Sequence, residues 1–453
     1  MRQGKLLSFQ SLFLVLLWCT IGVHGDAIST HKLAPHVAAD PACPAVEPPV
    51  DDNMTPNVLA GITDPTTVFH GVDNSRHLVV LVHGLMGTNQ DLEYLGERLH
   101  EKGCIVLLSK SNWWIKSLVS IKIASVRLVD EIHVKQAQNP ELRHISFVGN
   151  SLGGLFCRYA LYLMVRSGSP RKLFTTQDEG SPLYAQSLAP QHFLAIASPF
   201  TGVLDKLFLE DRVQRATGWS DFALPTAAKK TLASALGQSV KELFFADHPS
   251  DLRQTLLYRM AHEKAFLAPL RWFKGRRCYA NLDLDFVVPL NTAGFLEASV
   301  VGKLRDEHIY CQRGQHGQQH GEAEEQEQAR VVARIITEQH ANITEPLLDS
   351  ATPDHEQRNE MYASMRNNLN SLAWEKVVVY FPTRTPLALA HNKIAALRRT
   401  PKWLFEQLLG FEEGAFVMNE ASEWLAGASL GEGSVGVSTP PPPDQGVRAG
   451  AEL

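Results

Sequence analysis

"FVGNSLGGLF", residues 147–156, places one serine, Ser151, between Gly149 and Gly153, with Gly154 directly behind. Upstream, "HISFVG" (144–149) is a short apolar run of strand length; downstream, "LGGLFCRYALYLMV" (152–165) has the length and apolar spacing of a helix. A serine at a strand-to-helix turn between glycines is the pattern of a nucleophile elbow. The turn is so tight that only small residues fit beside it, and the serine oxygen stands above the sheet. The pattern by itself is common, and a glycine-rich turn with an incidental serine would read the same way. The surrounding chain has to decide between the two.

"HLVVLV" (77–82) reads as a buried parallel strand, "DLEYLGERLHEKG" (91–103) as a helix ending at a glycine, and "CIVLL" (104–108) as the next strand. "SLVSIKIASVRLVDEIHVKQ" (117–136) predicts a helix, and "HFLAIAS" (192–198), "RCYANL" (277–282) and "KVVVYF" (376–381) predict strands. This alternation predicts an α/β fold, a mostly parallel sheet flanked by helices. Residues 203–275 interrupt it with apolar letters three and four apart, which read as a helical cap insertion. Residues 306–368 read as a second, low-complexity and helical insertion, richest in Gln, His and Glu at "YCQRGQHGQQHGEAEEQEQ" (310–328). The domain is expected over 76–410, after an irregular leader (26–75) and before a largely disordered tail (411–453).

With 453 residues and 44% hydrophobic letters the chain can bury a large core, as one principal domain with insertions. A net charge of -5 without a long basic run gives no reason to expect a nucleic-acid partner. Residues 1–25 combine Arg2 and Lys5, an apolar stretch from Leu12 to Val23, and a small-residue exit at Gly25. That order predicts a signal peptide and the secretory pathway; an uncleaved anchor on a membrane-associated intracellular protein is the rival. Five cysteines remain beyond the leader, an odd and widely spaced set unlike a disulfide framework. Cys104, Cys157 and Cys278 sit in apolar runs where buried free thiols are expected. Asn53 and Asn342 head glycosylation sequons.

A serine hydroxyl needs a base to take its proton, an acid to orient that base, and donors for the oxyanion. "LVHGLMGT" (81–88) follows the first strand, and its His83-Gly84 turn can present the amide of Leu85, to be paired with the amide of Leu152. His83 reads as a residue holding that loop, because it precedes the serine. Asp283 and Asp285 compete for the acid within "YANLDLDFVVPL" (279–290). His391, in "LALAHNKIA" (387–395) after the last strand, completes the order Ser, Asp, His of α/β-hydrolases.

At these residues the chain resembles the serine esterase family of eukaryotic lipase-like α/β-hydrolases. The blocks are "HLVVLVHGLMGTNQDLEYL", "FVGNSLGGLFCRYAL", "LLYRMAHEKAFLAPLRWFKGRRCYAN", "YANLDLDFVVP" and "WEKVVVYFP" followed by "AHNKI". The resemblance implies Ser151 as nucleophile, Asp285 over Asp283 as acid and His391 as base. It implies hydrolysis of carboxylic esters, acyl lipids foremost, without a metal or organic cofactor. Protein thioesterase, acyltransferase and catalytically silent binding protein are the competing readings. One departure stands out: "SPFTG" (198–202) has Phe200 where the family usually carries a histidine, not itself a triad member, which bears on a contact behind the triad and on the mouth of the pocket. His308, Cys311, His316 and His320 have ligand chemistry but no standard zinc spacing, so a solvated loop is expected. "RWFKGRR" (271–277) mixes cations and aromatics, as either a lipid-surface contact or a packed joint.

Overall fold

The computed structural model describes residues 73–165, 188–203, 231–248 except 232, 233 and 235, 251–285, 287–310, 328–338, 354–382, 389–398 and 409–427. Residues 1–72, both sequons, Cys43, Cys311, His316 and His320 lie outside them. Seven strands form one sheet: β1 (His77–Val82), β2 (Ile105–Leu108), β3 (His144–Asn150), β4 (Ala189–Ile196), β5 (Gly275–Asn281), β6 (Arg330–Thr337) and β7 (Trp374–Tyr380). Their order is β2-β1-β3-β4-β5-β7-β6, all pairs parallel except β6 with β7. The helices used below are α1 (Glu93–Glu101), α2 (Ile121–Gln138), α3 (Gly153–Val165), α4 (Gln238–Leu243), α5 (Leu256–His262), α6 (Lys264–Arg271), α7 (Leu290–Ala293), α8 (Ala298–Arg305), α9 (Asp354–Asn370), α10 (Ala390–Lys393) and α11 (Ala415–Leu425).

The unbroken apolar run of β1 has a direct cause. Leu78, Val80 and Val82 face a core shared with α2 and α3, whereas Val79 and Leu81 face a second core shared with α1 and α11. A strand covered on both faces cannot alternate apolar with polar. The mostly parallel α/β sheet expected from the sequence is therefore present, and Cys104, just before β2, Cys157 on α3 and Cys278 on β5 are buried free thiols.

Three expectations are corrected. Within 203–275, α5 and α6 are not cap helices: they pack on the face of the sheet against α3 and α9. Arg158 of α3 donates to the Met260 carbonyl, the Tyr162 and Phe266 rings lie 4.4 Å apart, and His262 bonds Ser364. Their apolar stripes are core surface. Second, the 306–368 insertion contains β6, an edge strand in which Arg334 and Ile336 are exposed and Arg330 and Arg334 interrupt the apolar letters. Third, the tail does not begin at 411. Val417, Met418, Ala421 and Leu425 of α11 are buried, and Glu420 accepts from Arg277, Tyr279 and Arg334. Those bonds tie the helix to β5 and β6; residues 428–453, including the proline run, lie outside the described residues. "RWFKGRR" is a packed joint, with Phe273 buried and Arg276 donating to the carbonyls of Leu270, Phe273 and Ala373.

At the opposite edge from the strand C-termini, His77 and His144 are paired on β1 and β3, with rings 6.3 Å apart. Burial first, then His192, His144 and Lys274, lowers His77 to about 3, and burial with Lys274 lowers His192 to about 4. Both are bases held neutral in the folded state but free to protonate near 6.5 when unfolded. Their contribution is full above pH 6.5 and is lost as pH falls toward those folded values. Chemical denaturation should therefore show stability declining from pH 7 to pH 4, and His77→Gln should flatten that decline; an equal slope in the variant would contradict this origin.

Candidate active site

Parallel strands deliver their following loops to one edge of the sheet, and all the expected site residues follow strand ends. Ser151 comes directly after β3, and its amide continues the ladder by donating to the Ile196 carbonyl of β4 (2.8 Å). Its φ of +53° is in the left-handed region, a costly place for a residue with a side chain. The glycines make the turn feasible. A Cβ on Gly149 would lie 2.3 Å from the Gly154 Cα, and one on Gly153 would lie 2.2 Å from the Val82 carbonyl oxygen. Ser198 closes the turn from β4 by donating to the Gly149 carbonyl (3.1 Å).

The loop after β1 runs against the serine. A Cβ on Gly84 would meet the Ser151 Cβ at 2.6 Å, so the two backbones touch. The Gly87 amide donates to the Gly84 carbonyl (3.1 Å), and His83, buried, uses Nδ1 on that same carbonyl (3.0 Å). His83 thus stiffens its own loop. Among the described residues, neither the Leu85 nor the Leu152 amide donates to a backbone carbonyl. The 3-10 turn Trp114–Leu118 supports this loop from outside: Met86 donates to Ser117 Oγ (2.8 Å) and Trp114 to the Gly87 carbonyl (2.7 Å).

Across the site, Asp285 Oδ2 lies 2.9 Å from His391 Nδ1, the carboxylate side chain being 2% exposed and the imidazole 11%. Asp285 Oδ1 accepts from the amides of Val287 (3.0 Å) and Val288 (2.8 Å), and Oδ2 also accepts from Asn281 Nδ2 (2.7 Å). A bridge between Asp285 and Leu389 brings the histidine-bearing segment to this loop. Asp283 instead faces Arg305 of α8 at 3.6 Å. The structure therefore joins Asp285 and His391 directly, and Ser151, Gly84 and the oxyanion loop directly, with β4 between the two halves in the sheet.

Phe200 does not line a pocket mouth. It is fully buried against Phe295 and Trp374, with the Arg158 guanidinium 4.9 Å above its ring. The substitution alters the core behind the elbow. Among the described residues, no group of three or more His, Cys, Asp or Glu could hold a metal. Asn281, Ser198 and Ser117 escaped the sequence reading; Asn281, within the Tyr-Ala-Asn block, left the clearest trace.

One family model, "Putative serine esterase (DUF676)", matches residues 72–304, just over half of the chain. The chain belongs to this family. It is 25% identical over 269 residues to "Putative lipase C4A8.10" of Schizosaccharomyces pombe, covering 56% of this chain and 30% of that protein. To "Putative lipase ROG1" of Saccharomyces cerevisiae it is 27% identical over 231 residues, covering 49% and 29%. The chain thus spans under a third of the length of these relatives. Aspergillus fumigatus lipase B aligns over 52% of this chain and 45% of its own at 14% identity, with a TM-score of 0.30. So slight a likeness carries no argument, and the α/β-hydrolase fold of this esterase-family member rests on its sheet and its family.

Three variants test the geometry. Asp285→Asn should lower kcat by about 10⁴-fold, as loss of an orienting carboxylate does, and Asp283→Asn by less than about tenfold, as for a partly exposed ion pair. Equal losses in steady-state assays would contradict the assignment. Gly84→Ala should lower kcat/KM by about 10²–10³-fold by displacing an oxyanion donor while leaving the circular dichroism spectrum unchanged.

Proposed function

We propose that this protein hydrolyses carboxylic esters of acyl lipids through an acyl-enzyme on Ser151. The observation that carries the reading is the 2.9 Å contact of Asp285 with His391, at the same sheet edge as a serine held in a strained elbow. His391, its Nδ1 proton directed at Asp285, takes the Ser151 proton at Nε2. Ser151 Oγ attacks the ester carbonyl, and the Leu85 and Leu152 amides hold the resulting oxyanion. His391 then returns the proton to the leaving alcohol. Water, deprotonated by the same imidazole, releases the acid and frees the serine. The lipid preference draws on the names of the yeast relatives.

A fluorophosphonate probe should label Ser151, with labelling lost in Ser151→Ala and ester turnover reduced by on the order of 10⁴–10⁶-fold. Undiminished labelling of the variant would overturn the assignment, and a wild-type protein that takes no label would favour a silent binding protein.

A further inference from the structure

The turn that braces the oxyanion loop carries large apolar side chains into solvent. Trp113 is 48% exposed, Trp114 39% and Ile115 65%. Exposed apolar residues scattered singly need no explanation, but three in succession do. They are not exposed because the segment is loose. Glu131 of α2 accepts from the Ser109 hydroxyl and from the amides of Lys110 and Ser111, and Asn112 donates to the Ala124 carbonyl. On the other side Ser239 of α4 donates to the Ser117 carbonyl, and Glu242 accepts from Ser120 Oγ and the Ile121 amide. Trp114 is held at φ +50°, a conformation that a bulky residue keeps only when its surroundings impose it.

The charge around this tip departs from that of the chain. Between Glu101 and Asp130 there is no acidic residue, whereas Lys110, Lys116 and Lys122 are exposed and Arg127 reaches the Lys116 carbonyl. In a protein of net charge -5 the exposed charges on the tip itself are cationic, while the nearby carboxylates of Glu131 and Glu242 are taken up in hydrogen bonds to its base. Indole rings beside lysines match the chemistry of a headgroup layer: the rings enter the acyl boundary while the ammonium groups meet anionic headgroups.

We propose that Trp113, Trp114 and Ile115 insert into an anionic phospholipid surface, with Lys110, Lys116 and Lys122 at the headgroups, so that the Ser151 site faces the membrane. The tip is joined to the Gly84–Gly87 loop by the Trp114 and Met86 amides, so docking there sets the oxyanion loop against the lipid. That purpose rests on the esterase reading; the lipid contact itself rests on the surface alone.

The test is co-sedimentation of the full chain with vesicles of phosphatidylcholine, with and without phosphatidylserine, beside hydrolysis of a monomeric short-chain ester. Binding should require phosphatidylserine and weaken with added salt. Trp113→Ser with Ile115→Ser should lower vesicle affinity by at least about tenfold, and Lys110→Gln with Lys116→Gln and Lys122→Gln by a similar factor, with turnover of the soluble ester unchanged in both. Wild-type protein that ignores both vesicle types, as a surface made for a protein partner would, overturns the proposal, as does unaltered vesicle binding by the variants. Vesicle binding that follows the tip in a protein without ester turnover would uphold the lipid contact and sink the hydrolase reading.

Discussion

Ser151 can stand where it does only because three stretches of backbone approach one another without side chains between them. Gly84 abuts the serine, Gly153 abuts the carbonyls of Val82 and His83, and Gly149 abuts Gly154. A methyl group at any of these positions would overlap main chain or the serine itself, and main chain cannot rotate aside as a flexible side chain can. The same contacts fix the end of β1 relative to the start of α3. The position of the Leu85 and Leu152 amides, the proposed oxyanion donors, is therefore a consequence of sheet packing, and the strained φ of the serine is held by the core beneath it.

Asp285 and His391, the proposed acid and base, are placed by different means. Asp285 is fixed by two backbone amides and the Asn281 carboxamide, and it in turn fixes His391 on a segment with little regular structure of its own. This half of the site depends on β5 and β7 remaining neighbours. Arg277 on β5 helps to keep them so, bridging Glu375 of β7 and Glu420 of α11, with its guanidinium 4.6 Å above the Trp424 ring. The helix after residue 410 is thereby part of the frame that positions Asp285.

Legibility in the sequence followed local physics. Strands buried on both faces wrote themselves as apolar runs, so β1 was bounded to the residue and β3 nearly so. The elbow was legible because glycine has few other reasons to recur at that spacing. What stayed hidden depended on distant partners. β6 is an edge strand with half-exposed residues, and α11 owes its place to Arg277, some 140 residues earlier. The helices of 251–271 looked like a cap because periodicity tells which face is apolar and not what covers it. Asp283 and Asp285 were separated by the resemblance, and the structure separates them again by their partners: Arg305 for one, His391 for the other.

The proposed hydrolysis requires an acyl group to pass through Ser151 under the control of His391. Mass spectrometry of protein quenched in acid within milliseconds of mixing with a nitrophenyl acyl ester tests it most directly. The account predicts that the peptide containing Ser151 gains the mass of the acyl group, and that His391→Ala prevents this gain on the same timescale. Acylation at another residue, or steady turnover with Ser151 unmodified, would contradict it.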